Sequence, residues 1–156
     1  MWENLMGCST DDYLNSLSEK SVDSMIGYIV SNYKVVGIGA TILNGYSYIP
    51  CVYGLTVYTS VKNLDGFSSL LRRMVYLENY NSEIGYEESN VSSPERTICD
   101  YLMYPDELNA NLYLLDTLEG YEDEFGNFDK VYEMMNKLGI QRSELDKWIP
   151  YMWDED

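Results

Sequence analysis

VSSPERTICDYL, residues 91–102, contains the clearest structural signal of this sequence, the start of a helix. The hydroxyl of Ser93 can cap the first turn, and Pro94 then occupies the first helical position, where its missing N–H costs nothing. Alternatively, Ser92 is the cap and Glu95, three residues later, completes a capping box. In either case Glu95 places negative charge in the first turn, where the helix dipole favours it.

The residues after this cap predict which face of the helix is buried. Ile98, Cys99 and Leu102 recur at i, i+1 and i+4, which places them in one apolar stripe. Pro105 should end the helix, because proline cannot continue the backbone hydrogen bonding. The segment is therefore expected to be a capped helix that packs on a core.

The charge of the chain is concentrated in its second half. The formal net charge is −16: residues 1–73 hold five basic and six acidic side chains, whereas residues 74–156 hold five basic and twenty acidic side chains. A surface that binds duplex nucleic acid needs cationic side chains that neutralise phosphates, so we expect no direct nucleic-acid binding. The acidic residues either keep a tyrosine-rich protein soluble or bind a basic protein partner.

Length and composition indicate one globular domain, residues 1–156, without a membrane span. The chain has 156 residues, 46% of them hydrophobic, and contains no apolar run of about 18 residues. Its first residues lack the basic and apolar regions of a secretory signal. Three widely spaced cysteines fit reduced thiols better than a disulfide framework, so we expect a cytoplasmic location.

Local patterns predict helices towards both ends of the chain and strands between them. A helical part covers residues 1–34, with one helix over about residues 21–32, and residues 34–40 are expected to form a strand or loop before a short helix at 41–44, which Gly45 ends. Strands are predicted at residues 52–60, 74–80 and 83–88, the last two joined by a turn at Asn81-Ser82, with a short helix or loop at 64–73. The mixed part, residues 35–90, thus predicts an α+β fold in which a small mixed β-sheet from the middle of the chain is packed by N- and C-terminal helices.

The acidic part, residues 91–156, is predicted to be helical. After the helix at 93–104, a second should begin after Asp106 and end at Gly120, an acidic loop should follow at residues 121–126, and Asn127 should cap a helix that Gly139 ends. Ser143 or Gln141 should open a last helical turn, which Pro150 ends. The surface that we expect to bind a basic partner consists of Glu119, Glu122, Asp123 and Glu124.

Composition excludes most catalytic chemistries. The chain contains no histidine, which removes Ser–His and Cys–His nucleophile pairs and imidazole metal ligands. The cysteines lack C-x-x-C spacing, and Glu122, Asp123, Glu124 and Asp129 match no calcium-loop register. We therefore predict no catalytic residue, no metal site and no cofactor, and interpret Glu95 and Arg96 as a cap and an internal salt bridge.

Residues 91–100 also match the pattern V-x-S-P-E-R-T-hydrophobic-x-D, which resembles the C-terminal region of AbiEi-type antitoxins. A second stretch is similar to the same family: ATILNGY at residues 40–46, Ile49-Pro50, and LTVYTS at residues 55–60. The resemblance implies a non-enzymatic antitoxin that neutralises a nucleotidyltransferase-type toxin in an abortive-infection system against phage. It also marks Ser93, Pro94, Glu95 and Arg96 as a structural motif. Family members begin with a winged helix-turn-helix domain, for which this chain has no room.

The same charge pattern allows an alternative function. An acidic inhibitor from a phage or mobile element would bind a basic host or defence protein, with its carboxylates imitating the charge of nucleic acid. Both functions predict a basic protein partner, either a toxin or a nuclease. They differ in the identity of that partner.

Overall fold

The computed structural model describes residues 27–45, 55–60 and 72–153. Residues 27–32 are helical, in agreement with the helix predicted at 21–32, and residues 1–26 lie outside the described part of the chain. The elements that follow are α1 (Gly37–Asn44), β1 (Leu55–Thr59), β2 (Arg72–Tyr76), α2 (Pro94–Met103), α3 (Ala110–Phe125), α4 (Asp129–Leu138), α5 (Ser143–Asp146) and a 3₁₀ turn (Ile149–Tyr151). The predicted α+β class is confirmed.

The sheet is small and lies in the middle of the chain, as predicted. β1 and β2 pair in parallel, with Leu55 opposite Arg72 and Thr59 opposite Tyr76. Val35 adds isolated bridges, antiparallel to Val57 and parallel to Val91. Arg72-Arg73, predicted to end a helix or loop, instead begins β2, and residues 61–71 lie outside the described ranges.

The predicted hairpin of strands at residues 74–80 and 83–88 is wrong. β2 ends at Tyr76, and residues 83–88 form turns and bends instead of a strand. The side-chain oxygen of Asn81 accepts the backbone N–H groups of Glu83 and Ile84, at 2.9 and 3.1 Å. These local bonds give the backbone an alternative to strand pairing, so the segment becomes a loop that leads to α2.

α1 begins four residues earlier than the sequence pattern predicts. Residues 37–40, expected to be strand or loop, are helical, and every residue from Gly37 to Leu43 is buried. A helix that is apolar all round gives no amphipathic pattern, which explains the error. A Cβ on Gly37 would lie 3.1 Å from a methyl carbon of Leu108, so this glycine permits close packing. Gly45 ends α1 in the left-handed conformation, as predicted.

α2 lies at the centre of the helical layer. It contacts α1, α3 and α4, and α1 in turn contacts β1. Its residues Ile98, Cys99 and Tyr101 are fully buried. The core side chains of the other two long helices include Leu114, Leu118 and Tyr121 of α3 and Val131 and Met135 of α4.

α3 differs from the prediction at both ends. It begins at Ala110 instead of after Asp106, and it passes through Gly120 to Phe125, so the predicted acidic loop at 121–126 is largely helical. Leu112 is 66% exposed, and the buried stripe of α3 includes Leu114, Leu118 and Tyr121. Gly120 is buried inside the helix, where packing outweighs its low helix propensity.

α4 ends as predicted but begins one residue later, so that Phe128 and not Asn127 occupies its N-cap position. The side chain of Asn127 accepts the N–H of Asp129, and Gly139 ends the helix with φ at 74°. The N–H of Ile140 donates to the carbonyl of Met135 at 2.9 Å, which completes a Schellman cap. The last helical turn is shorter than predicted: α5 ends at Asp146, and Pro150 lies inside the 3₁₀ turn. None of the helices in the described ranges has the length and apolarity needed to cross a bilayer.

Candidate functional site

The cap of α2 identifies Ser93, and not Ser92, as the N-cap. The side chain of Ser93 accepts the N–H of Arg96 at 3.1 Å, and Pro94 occupies the first turn. Ser92 is fully buried, and its hydroxyl lies 2.6 Å from that of Thr97. Both serines therefore fix the entry of α2, Ser93 through its backbone cap and Ser92 through a buried side-chain bond.

Glu95 joins α2 to α3. The hydroxyl of Tyr121 donates to the carboxylate of Glu95 at 2.7 Å. Burial raises the pKa of Tyr121, and the adjacent Glu95 raises it further, so the phenol remains a donor. Glu95 thus combines a favourable first-turn charge with a tertiary hydrogen bond.

Arg96 is fully buried and forms an ion pair along α2. Its Nε donates to Asp100 Oδ1 at 2.7 Å, and both side chains are inaccessible to solvent. Nη1 donates to the carbonyl of Ile84 at 2.6 Å, and the guanidinium carbon lies 4.4 Å from the ring centroid of Tyr80. Nη2 is the one buried side-chain nitrogen or oxygen of the described residues without a hydrogen-bond partner. The face of the Tyr80 ring stabilises part of the guanidinium charge that these hydrogen bonds do not compensate.

Two tyrosines complete this buried network. The hydroxyl of Tyr80 donates to Asp100 Oδ2 at 2.5 Å and lies 2.6 Å from the hydroxyl of Tyr86. Burial raises the pKa of Asp100 to about 6, while Arg96 and Tyr80 oppose that rise. Burial lowers the pKa of Arg96, but Asp100 and Tyr80 outweigh this effect and the net pKa is raised. At neutral pH both Arg96 and Asp100 are therefore charged.

The network of Arg96, Asp100, Tyr80 and Tyr86 is a closed structural unit. Each of these four side chains is buried, so none presents a reactive group to a substrate. Next to it, burial raises the pKa of the Cys99 thiol to about 12, which makes the thiol unreactive at neutral pH. Ser93, Glu95 and Arg96 of the resemblance motif thus each form a contact that fixes α2 in the fold.

A groove of about 370 Å³ opens beside the start of α2. Its walls include Glu87, Glu88 and Glu95 together with Ser93 and Met134. The Glu87 carboxylate accepts the N–H of Gly85, and this bond lowers the pKa of Glu87. The groove is acidic, which disfavours an anionic ligand.

The four carboxylates predicted to bind a partner lie in the last two turns of α3. We call Glu119, Glu122, Asp123 and Glu124 the acidic end of α3. The backbone N–H of Trp153 donates to Glu119, and the indole Nε1 of Trp153 donates to Glu122 Oε1 at 2.9 Å. Asp123 and Glu124 are exposed. The structure thus brings all four to one end of one helix, with two of them engaged by Trp153.

This position is electrostatically unfavourable for α3. The C-terminal end of a helix carries partial negative charge, so carboxylates there are repelled and cations are favoured. The last turn of α3 contains no basic residue. The acidic end of α3 therefore opposes the stability of its own helix, and it presents an anionic surface that a cation would relieve.

Sequence reasoning found some of these residues and missed others. The acidic end of α3 and the capping residues were predicted from charge and pattern. The internal salt bridge expected for Arg96 is confirmed, but its partner Asp100 was not identified, although the i, i+4 spacing is a visible signal for a helical ion pair. Tyr80 and Trp153 gave no local signal, because the carboxylates that accept their hydrogen bonds lie 20 or more residues away.

The described residues were also compared with the requirements of a metal site and with known proteins. No group of three or more His, Cys, Asp or Glu side chains there could hold a metal ion. No family model matches the chain, and no significant match was found among curated proteins or solved structures.

Proposed function

We propose that this protein is a non-enzymatic, cytoplasmic antitoxin similar to the AbiEi type, which neutralises a nucleotidyltransferase-type toxin by binding it. The observation that carries the proposal is the acidic end of α3, where carboxylates accumulate although the helix dipole disfavours them. A basic protein surface would compensate both the carboxylates and the helix end. The resemblance at residues 91–100 supplies the identity of the partner class.

The buried network agrees with a binding protein more than with an enzyme. Arg96 of the motif forms its ion pair inside the fold, whereas Asp123 and Glu124 of the acidic end of α3 are exposed. Electrostatic complementarity of this kind raises the association rate and orients the partner, while it decays with salt. The protein would therefore bind its toxin rapidly at low salt and more slowly as ionic strength rises.

The same surface supports the alternative function, inhibition of a basic nucleic-acid-handling protein by an acidic phage or mobile-element product. The two functions need the same carboxylates and differ in the partner. Copurification from the native host, followed by identification of the bound protein, separates them. A nucleotidyltransferase supports the antitoxin, and a nuclease or another defence protein supports the inhibitor.

Co-expression with a nucleotidyltransferase-type toxin of an AbiE system tests the proposal. Asp123→Asn/Glu124→Gln should reduce protection of growth and slow association, because it removes two exposed charges from the acidic end of α3 and keeps Glu119 and Glu122, which accept from Trp153. The matched control is Asp129→Asn/Glu133→Gln, which removes the same two charges from exposed positions of α4. If both variants protect as well as the parent, the acidity serves solubility and the proposed surface is wrong.

A further inference from the structure

Residues 149–153, which we call the strap, cross from the end of the α5 region to α3. The strap begins as the 3₁₀ turn Ile149–Tyr151 and ends at Trp153. Trp153 places two N–H donors on α3: its backbone N–H on Glu119 and its indole N–H on Glu122. The strap therefore occupies half of the surface that we propose binds a basic partner.

The strap is attached to the fold less firmly than the helices are. No residue of the 3₁₀ turn is buried, and the exposed fractions of Tyr151 and Trp153 are 60% and 51%. Ile149 and Met152 are partly buried against the core. Trp153 has φ at 60°, a left-handed conformation that side chains with a Cβ adopt at a cost. Segments with few buried contacts open at low free energy, so the strap is suited to detachment.

We propose that the strap is a displaceable cover of the acidic end of α3, which a basic partner removes by competing for Glu119 and Glu122. This inference rests on the proposed function. Trp153 is neutral, so its two N–H donors satisfy the carboxylates without compensating their charge. An arginine guanidinium offers two parallel N–H donors and a positive charge together, and it therefore binds the same pair more strongly. The closed strap prevents weaker donors from occupying the surface.

The first measurement tests the attachment of the strap without any partner. The indole N–H signal of Trp153 in an NMR spectrum is assigned by its loss in Trp153→Phe. In Glu119→Ala/Glu122→Ala this signal should move to the position of a solvent-exposed tryptophan and exchange faster with solvent. Asp116→Ala/Glu124→Ala is the matched control, with the same charge change on the same helix, and should leave the signal in place. An unchanged signal in the Glu119/Glu122 variant, with the fold intact by circular dichroism, overturns the proposal.

The second measurement tests displacement, with a hepta-arginine peptide as the probe. If the strap is closed nine-tenths of the time, Trp153→Ala should bind the peptide ~10-fold more tightly than the parent, because apparent affinity scales with the fraction of competent molecules. Tyr151→Ala, which removes an exposed aromatic side chain from the same strap, should bind like the parent. Calorimetry measures all three affinities. In the parent, the Trp153 indole signal should move as the peptide is added.

The possible failures are distinguishable. If the peptide binds the parent but Trp153→Ala binds equally or more weakly, the strap is not a competing cover, and the proposed acidic surface stands. If the peptide binds neither protein, recognition of a basic partner through this surface fails, and displacement of the strap fails with it. The indole signal of the Glu119/Glu122 variant separately reports whether those carboxylates hold Trp153.

Discussion

Arg96 and Asp100 form the most consequential pair at the scale of single residues. Both are fully buried in an ion pair with an Nε–Oδ1 distance of 2.7 Å. A buried pair contributes little compared with apolar residues of the same volume, because desolvation offsets the attraction. Removal of one partner is different, since the other charge is then left in the core without compensation.

A double-mutant cycle should show this asymmetry. Arg96→Met and Asp100→Leu should each lower the free energy of unfolding by about 3–5 kcal/mol, whereas the double variant should lose much less than their sum. Urea unfolding followed by circular dichroism measures the four proteins. Additive losses would contradict an ion pair and would indicate that each residue acts through separate contacts.

Gly85 provides a second prediction at this scale. Its φ is 90°, and a Cβ at this position would lie 2.4 Å from the Cβ of Arg96, so the backbone of the loop or of α2 would have to move. Gly85→Ala should therefore cost several times more stability than Gly139→Ala. Gly139 also has positive φ, at 74°, but a Cβ there meets nothing within 4 Å, so its cost should be limited to about 1–2 kcal/mol of backbone strain. Thermal unfolding of both variants provides the comparison, and equal losses would show that the contact with Arg96 is relieved easily.

The residues that could be predicted are those whose partners are near in sequence. Ser93 and Gly139 were identified correctly because capping geometry is decided within one helical turn. Tyr80 could not be assigned to Asp100, because the hydrogen bond between them depends on the loop that returns the chain to α2. The place of Glu95 in the first turn of α2 was predicted correctly. Its hydrogen bond with Tyr121 could not be predicted, because that bond depends on the packing of α2 on α3.

At the scale of secondary-structure elements, Ser93 caps the start of α2. Ser93→Ala removes the acceptor of the Arg96 N–H and should lower the free energy of unfolding by about 1 kcal/mol. Ser93→Asp should restore most of the loss, because aspartate caps helices about as well as serine. Ser31→Ala, at an exposed helical position, is the control and should have little effect. A loss in Ser93→Asp as large as in Ser93→Ala would mean that the serine acts through its packing instead of its cap.

Element boundaries were predicted well where a cap was local and poorly where tertiary packing decided. Gly120 was taken as the end of α3, yet the helix continues because Tyr121 packs in the core on the next turn. α1 was predicted too short because its residues are buried on all sides and their sequence shows no helical periodicity. The parallel pairing of β1 with β2 could not be predicted from patterns alone, since parallel strands are joined by a long connection instead of a recognisable turn.

Net charge determines how the whole molecule should respond to pH. The chain carries a formal charge of −16, and self-repulsion of this charge destabilises the compact state at neutral pH. Asp100 acts in the same direction, because its pKa is raised from 3.8 to about 6 in the folded state. A raised carboxylate pKa means that the folded state holds the proton more tightly. Its contribution to stability therefore decreases as the pH rises from about 3.8 to 6.

The midpoint of thermal unfolding should consequently be higher at pH 5.0 than at pH 7.5. Glu87 acts in the opposite direction. Its pKa is lowered below 4.5 in the folded state, so its ionised carboxylate stabilises the fold, and this contribution is lost only at pH values below the interval from 5.0 to 7.5. Added salt at pH 7.5 should recover part of the difference by screening surface repulsion, and it should not recover the part that comes from buried Asp100. A midpoint that falls on acidification to pH 5.0 would contradict both contributions.

The bridges of Val35 join segments of the chain that are synthesised at different times. This fully buried residue bridges Val57 and Val91, and its N–H donates to the carbonyl of Asn90. Roughly 56 residues separate Val35 from Val91, which at about 5–20 residues per second corresponds to several seconds of translation. During that interval α1 has left the ribosome without α2, its cover. The arrival of residues 90–92 therefore supplies the backbone partners of Val35, and α2, which packs on α1, follows directly after them.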